Sequence, residues 1–181
     1  MVTFHLSRTM NESIVYEISI QSFKRGLGNL IKILEKAETY SVTKKFAFEN
    51  LLNARLFPDQ FHLTKQIQIA CDTAKLCVSR ISGKEAPTHE DSETNLEELK
   101  LRIGSVIQYL DTYKADDFKQ VSEIKVSQPR WEGKYLTGFE YLTNHAIPNF
   151  YFHITTAYAI LRHNGVEIGK KDYLGEMPFK K

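Results

Sequence analysis

Between Phe150 and Leu161 the chain runs FYFHITTAYAIL, with apolar side chains all the way round a helical turn. Phe150, Tyr151, Phe152, Ile154, Ala157, Tyr158, Ile160 and Leu161 leave no wet face. A helix apolar on every side must be enclosed by other protein elements. This segment therefore demands a helical or sheet partner on most sides, and the remaining sequence must supply them.

Three other long helices are legible. The first runs from about Asn11 to Glu38, with Asn11 or Ser13 as its cap. Ile14, Ile18, Phe23, Leu27, Leu30, Ile31 and Leu34 recur mostly at three- and four-residue steps. Gly26 and Gly28 interrupt it, and close helix packing or a bend explains them better than a phosphate loop, because no strand precedes them. Residues 41–52 predict a short helix. Pro58, at a favoured early position, opens the second long helix, with Leu63, Ile67, Ala70, Ala74, Cys77, Val78 and Ile81 as its stripe and Ser82-Gly83 as its end. Residues 84–95 are polar and aperiodic, which predicts an exposed loop, mobile at its tip, with His89 solvated. The third helix spans about Asn95 to Tyr113, where Leu96, Leu99, Ile103, Val106 and Leu110 form a narrow packing seam.

Residues 121–137 change period around SQPRWEG, which predicts a small β-hairpin with Pro129 and Gly133 in its turn region. The fourth helix starts at GFEYLTN (138–144), restarts at Pro148 and stops at Gly165. The tail after it carries Val166, Ile168, Tyr173 and Leu174 and predicts a docked, irregular strap. Four helices with modest connections close as an all-α bundle, with the hairpin between the third and fourth. At 181 residues the chain suits one domain, 1–181.

The function classes this excludes follow from charge and apolar runs. The net charge is only +2, and Lys44-Lys45, Lys170-Lys171 and Lys180-Lys181 are scattered pairs without a stacking motif, so nucleic acid is not an expected partner. No apolar run reaches membrane-span length. The N-terminus lacks the apolar core of a signal peptide, so the expected location is cytoplasmic and the sequon Asn11-Glu12-Ser13 is incidental. Cys71 and Cys77 stand six residues apart, about 9 Å on one helix. That is too far for a disulfide, so both are expected as buried free thiols.

Asn149, His153 and Thr156 fall on one stripe of the enclosed helix, at steps of four and three. Buried and unpaired, each would cost about 1–3 kcal/mol, so each needs a partner. The second helix offers Gln66, Gln68 and Asp72, the last two sharing a face at i, i+4. The candidate pocket therefore comprises His153, Asn149, Gln68, Asp72, Thr156 and Tyr158. Two readings stand side by side. One is a satisfied structural network with a water or two; the other is a ligand pocket between helices. Arg162 and His163 close the helix and complement its dipole.

The segments ARLFPDQFHLTKQIQIACDTAK (54–75) and GFEYLTNHAIPNFYFHITTAYAILRHNGVEIGKKDYLG (138–175) resemble a domain-of-unknown-function family, number nineteen-ninety-three. That family belongs to the DinB/YfiT-like four-helix-bundle superfamily, which is grouped with metalloenzymes. The resemblance implies an up-down-down-up bundle and a homodimer. It also implies a divalent metal held by three histidines, one on the second long helix and two from H-x-x-x-H on the last. In this chain those places fall on Gln68, Asn149 and His153, so only one is histidine. Amides are weak transition-metal ligands beside imidazole. His62, a turn and a half earlier, is expected at a rim. The ligand set is incomplete, and the expectation is no bound metal and no other cofactor.

Three functional readings remain open. The chain is a small-ligand-binding module or lapsed metalloenzyme, taking a small polar molecule. Alternatively it is a metal-dependent transferase or isomerase that uses His153 as base or lone strong ligand. The third reading is a dimeric structural or interaction protein.

Overall fold

Four long helices dominate the computed structural model, which describes residues 12–180. Residues 12–16 are helical and pass through a wide turn at Glu17–Gln21, where the Ser22 N–H reaches back five residues to the Glu17 carbonyl. This leads into α1 (Ser22–Lys44). The cap expected at Asn11 lies outside the described residues. α1 runs past Glu38, because Ala37 and Ser41 keep its buried face continuous. It stops where Lys45 turns left-handed at φ 58°. The short helix expected over 41–52 is thus divided: residues 41–44 finish α1, and only α2 (Glu49–Leu52) stands apart.

The second long helix, α3 (Leu63–Ser82), begins five residues after Pro58. Pro58 instead occupies the second position of a turn closed by Gln60 N–H donating to the Phe57 carbonyl, where its fixed φ is equally at home. α4 (Leu96–Asp111) starts as the sequence predicts, with the Asn95 side chain accepting from Glu98 N–H at 3.0 Å. The expected hairpin is present in miniature: β1 (Lys125–Val126) pairs antiparallel with β2 (Leu136–Thr137), Val126 opposite Leu136.

The fourth long helix is continuous rather than restarted. α5 (Gly138–Tyr141) opens with a Thr137–Glu140 capping box, widens at Leu142–Ala146 and proceeds as α6 (Ile147–His163). In the widened stretch the Ile147 N–H donates to the Leu142 carbonyl, five residues back. That wider turn accommodates Pro148, which brings a ring and no N–H. Past Gly165, at φ +92°, Val166 N–H closes the helix end by donating to the Leu161 carbonyl. The strap that follows buries Val166 and Ile168, forms the single turn α7 (Lys170–Leu174), and is tied to α1 by Asn29 Nδ2 donating to the Tyr173 carbonyl at 3.0 Å.

Side-chain pairings fix the directions. Lys24 pairs with Asp111 and Glu38 with Lys100, so α1 and α4 are antiparallel. Phe23 packs on Phe150, and Tyr40 meets Gly165, so α1 and α6 are parallel. Asp72 pairs with Arg102, and His89 bridges Lys75 to Ser105, so α3 and α4 are parallel. The bundle is up-down-down-up, and residues 83–95 provide the long crossover that two parallel neighbours require.

That crossover is largely exposed, as expected, but side-chain contacts tie it to α3 and α4 and His89 is not solvated. Arg102, 3% exposed, donates to the Glu90 carbonyl and pairs with Asp91 and Glu93 as well as Asp72. His89 is half-buried, accepting from Lys75 Nζ at 2.7 Å and lying 3.1 Å from Ser105 Oγ. The sequence showed no apolar anchor because a buried guanidinium is the anchor. The enclosure expected for α6 is also partial: Phe152 is 55% and Tyr151 36% exposed. α6 packs mainly on α3 and α1, and the strap touches it through Tyr173, which meets Thr155 and Tyr158.

Candidate functional site

α3 and α6 make the most extensive helix contact of the bundle. Along α3, Gln66, Thr73 and Arg80 recur every seven residues, two turns apart on one face. Facing them, His145, Asn149 and His153 recur every four on the widened turn and α6. The antiparallel crossing turns these rows into rungs. His153 Nδ1 lies 2.7 Å from Gln66 Oε1. Asn149 Nδ2 donates to Thr73 Oγ1 at 2.8 Å. Arg80 Nη1 donates to the Tyr141 hydroxyl at 2.7 Å, one turn before His145.

The rungs floor a cleft of about 330 Å³ whose wall includes Phe61, Asp72 and Arg130. At one end, Gln66 Nε2 donates to the Phe61 carbonyl at 2.9 Å. Gln66 Oε1 is therefore the acceptor for His153, and Nδ1 carries the ring proton. His153 Nε2 is left as a lone-pair nitrogen with no hydrogen bond among the described residues. Burial pushes the His153 pKa down to about 4, so the ring is neutral near pH 7.

At the other end, Tyr141 and His145 stack with ring centroids 5.2 Å apart, and Trp131 meets both edge-on. Arg130 Nη2 donates to His145 Nε2 at 2.8 Å. Burial, then the charges of Arg130 and Arg80, hold the His145 pKa below its ordinary value. Its Nδ1, which must carry the proton, is buried without a hydrogen-bond partner.

The six residues expected to form one pocket are distributed over the bundle. His153, Asn149 and Asp72 line the cleft together. Asp72 Oδ1 there accepts from Arg102 at 2.8 Å and from Lys75 at 3.0 Å. Gln68 does not reach the cleft: its Nε2 donates to Glu93 Oε2 at 2.8 Å, joining the Arg102 network on the α4 side. Gln68 is two residues from Gln66 and so points elsewhere on the helix. Burial raises the Glu93 carboxyl, but the Arg102 and Gln68 hydrogen bonds outweigh it and hold the group below its usual range. Thr156 bonds back to the Phe152 carbonyl at 2.7 Å and borders a shallow apolar depression with Leu56 and Tyr151. Tyr158 lies under the strap, edge-on to Tyr173, with its hydroxyl donating to the Ile168 carbonyl at 3.4 Å. His62 precedes α3 without a side-chain capping bond, and its Nδ1 lies 3.2 Å from the Leu52 carbonyl.

Thr73, Arg80, Arg130, Tyr141 and His145 escaped sequence reasoning. The seven-residue row Gln66, Thr73, Arg80 was available as a signal, as was the four-residue row His145, Asn149, His153. Pro148 concealed the second by suggesting a break between His145 and Asn149.

The three places that would carry a histidine triad do not fit a divalent transition metal. Gln68 faces Glu93, the Asn149 amide is engaged by Thr73, and His153 offers a single lone pair. Among the described residues no group of three His, Cys, Asp or Glu side chains is arranged to hold a metal ion. No helix among them is long and apolar enough to cross a membrane.

An up-down-down-up bundle with a polar cleft between its second and fourth helices is a DinB-like architecture. The chain belongs to the family described as Domain of unknown function (DUF1993), whose model matches residues 15–174. It is similar to a crystal structure of a DinB family member protein from Shewanella denitrificans, at 54% identity and a TM-score of 0.93, covering 96% of this chain and 98% of that one. No curated protein matches the sequence.

Proposed function

We propose that this DinB-like protein is a small-ligand-binding module, a lapsed metalloenzyme that keeps the inter-helix cleft and has exchanged metal ligands for amides and hydroxyls. One observation carries the reading: His153, itself mostly buried, and Asn149 are oriented by Gln66 and Thr73 and border a cleft rather than a sealed interior. A purely structural network has no need of such a cleft, and concave inter-helix sites with a few fixed polar groups are where bundles bind small molecules. Thermal shift with a panel of small polar molecules, with and without divalent metals, tests it. Metal-independent stabilisation by a panel member, weakened in His153→Leu, is expected. No shift with any member would overturn the reading.

The same proposal treats 1–181 as one domain, on the strength of a buried cluster continuous from Val15 to Ile168. It places the protein in the cytoplasm, in keeping with two buried free thiols. It makes the protein a homodimer, supported by the exposed Leu56, Phe57, Tyr151 and Phe152. Sedimentation velocity reads the last point directly.

A further inference from the structure

The cationic end of the cleft has a composition that the rest of the bundle avoids. Arg102, the buried guanidinium, is matched by three carboxylates. Arg80 and Arg130 have no carboxylate partner among the described residues. Each spends one hydrogen bond on a neutral aromatic group, Arg80 on the Tyr141 hydroxyl and Arg130 on His145 Nε2. Because Tyr141 and His145 are stacked on each other, the two guanidinium groups are held on one aromatic pair and face one cleft. The Arg80 guanidinium carbon also lies 5.8 Å from the Tyr141 ring centre.

We infer that Arg80 and Arg130 form an oxyanion-binding subsite, which takes the carboxylate or phosphate group of a small ligand at the His145 end of the cleft. The inference rests on the ligand-binding reading above and names its ligand class. Three features support it. Two like charges directed into one partly desolvated cleft repel, and an anion between them removes that cost. A guanidinium fork matches the paired oxygens of a carboxylate or phosphate, and both arginines keep free N–H groups after their single bond. The neutral His145 between them carries an Nδ1–H that lacks an acceptor. The one acid on the cleft wall, Asp72, already receives Arg102 and Lys75, so it does not compete for Arg80 or Arg130. Asn149 stands one turn further along and supplies a neutral polar contact for the part of the ligand beyond the anion.

Two probes test the subsite: sodium phosphate and sodium acetate, each titrated at constant ionic strength into 15N-labelled protein while the arginine side-chain resonances are followed by NMR. Saturable shifts of Arg80 and Arg130 are expected with at least one probe, and the arm that saturates at lower concentration identifies the headgroup. Arg130→Gln is expected to weaken binding at least tenfold, with Arg55→Gln, on the exposed turn before α3, as the unaffected control. Arg130 is exposed and makes one side-chain hydrogen bond among the described residues, to His145, so this variant keeps the bundle intact where Arg80→Gln would also remove the Tyr141 bond. Linear, unsaturable shifts, or equal affinity in Arg130→Gln, would overturn the assignment. If neutral molecules stabilise the protein while neither anion saturates, the ligand-binding reading stands and the anion subsite falls. If nothing binds, both fall.

Discussion

Gln66 sets the tautomer of His153. Its amide nitrogen is committed to the Phe61 carbonyl at 2.9 Å, so its oxygen faces His153 Nδ1 at 2.7 Å and requires the proton there. A helix-capping loop thus determines which imidazole nitrogen is basic in the cleft, through one glutamine.

This pairing has a stability consequence. Changing His153 to Leu leaves Gln66 Oε1 buried without a donor, which is expected to cost about 1–3 kcal/mol by urea denaturation. Gln66→Leu together with His153→Leu should recover part of that loss, since both polar partners are then gone. Additive losses in the double variant would show that the two side chains are not coupled.

The same ring makes stability depend on pH. His153 is neutral when folded, with its pKa near 4, and takes a proton more readily when unfolded, near 6.5. Its contribution is fully present above about pH 6.5 and is lost as pH falls toward 4, on the order of 3 kcal/mol in all. The difference in stability between the parent and His153→Gln, measured from pH 7 to pH 4, should shift in favour of the variant as pH falls. A difference independent of pH would mean that the ring is not desolvated.

Two glycines two residues apart on α1 should respond in opposite directions. A Cβ on Gly26 would lie 2.7 Å from the Phe150 ring, so Gly26→Ala is expected to destabilise by about 1–3 kcal/mol. Nothing lies within 4 Å of a Cβ on Gly28, and Gly28→Ala is expected to stabilise by about 0.5–1 kcal/mol through helix propensity. Thermal melts of the two variants check both signs.

Protein purified without chelator or affinity nickel is expected to hold no stoichiometric zinc or nickel by elemental analysis. The donor set supplies one imidazole lone pair and two engaged amides. A stoichiometric metal lost on changing His153 would restore the metalloenzyme reading.

The native thiols should be inert. Cys71 and Cys77 are buried and free, and burial pushes the Cys71 thiol up to about 12 and Cys77 in the same direction. A thiol reagent at pH 8 should modify neither until the protein unfolds. Rapid labelling of the native protein would place one of them at the surface.

The sequence by itself determined the helices and the hairpin. Apolar periodicity is a local signal, and Leu96, Leu99, Ile103, Val106 and Leu110 report α4 whatever surrounds them. It also determined that His153 and Asn149 need partners, because α6 has so little polar surface to offer water. What it left open was which partners. Gln66 and Gln68 are both amides on α3, two residues and about 200° apart on the helix, and only the antiparallel crossing of α3 with α6 brings Gln66 to His153 while α4 claims Gln68. Arg80 and Arg130 are brought to one aromatic pair from elements 50 residues apart in the chain, a meeting decided by the packing of both α3 and the Trp131 turn on the start of the fourth helix. Local pattern records which side chains need burial or a bond; the long-range pairing that satisfies them exists only once the helices have crossed.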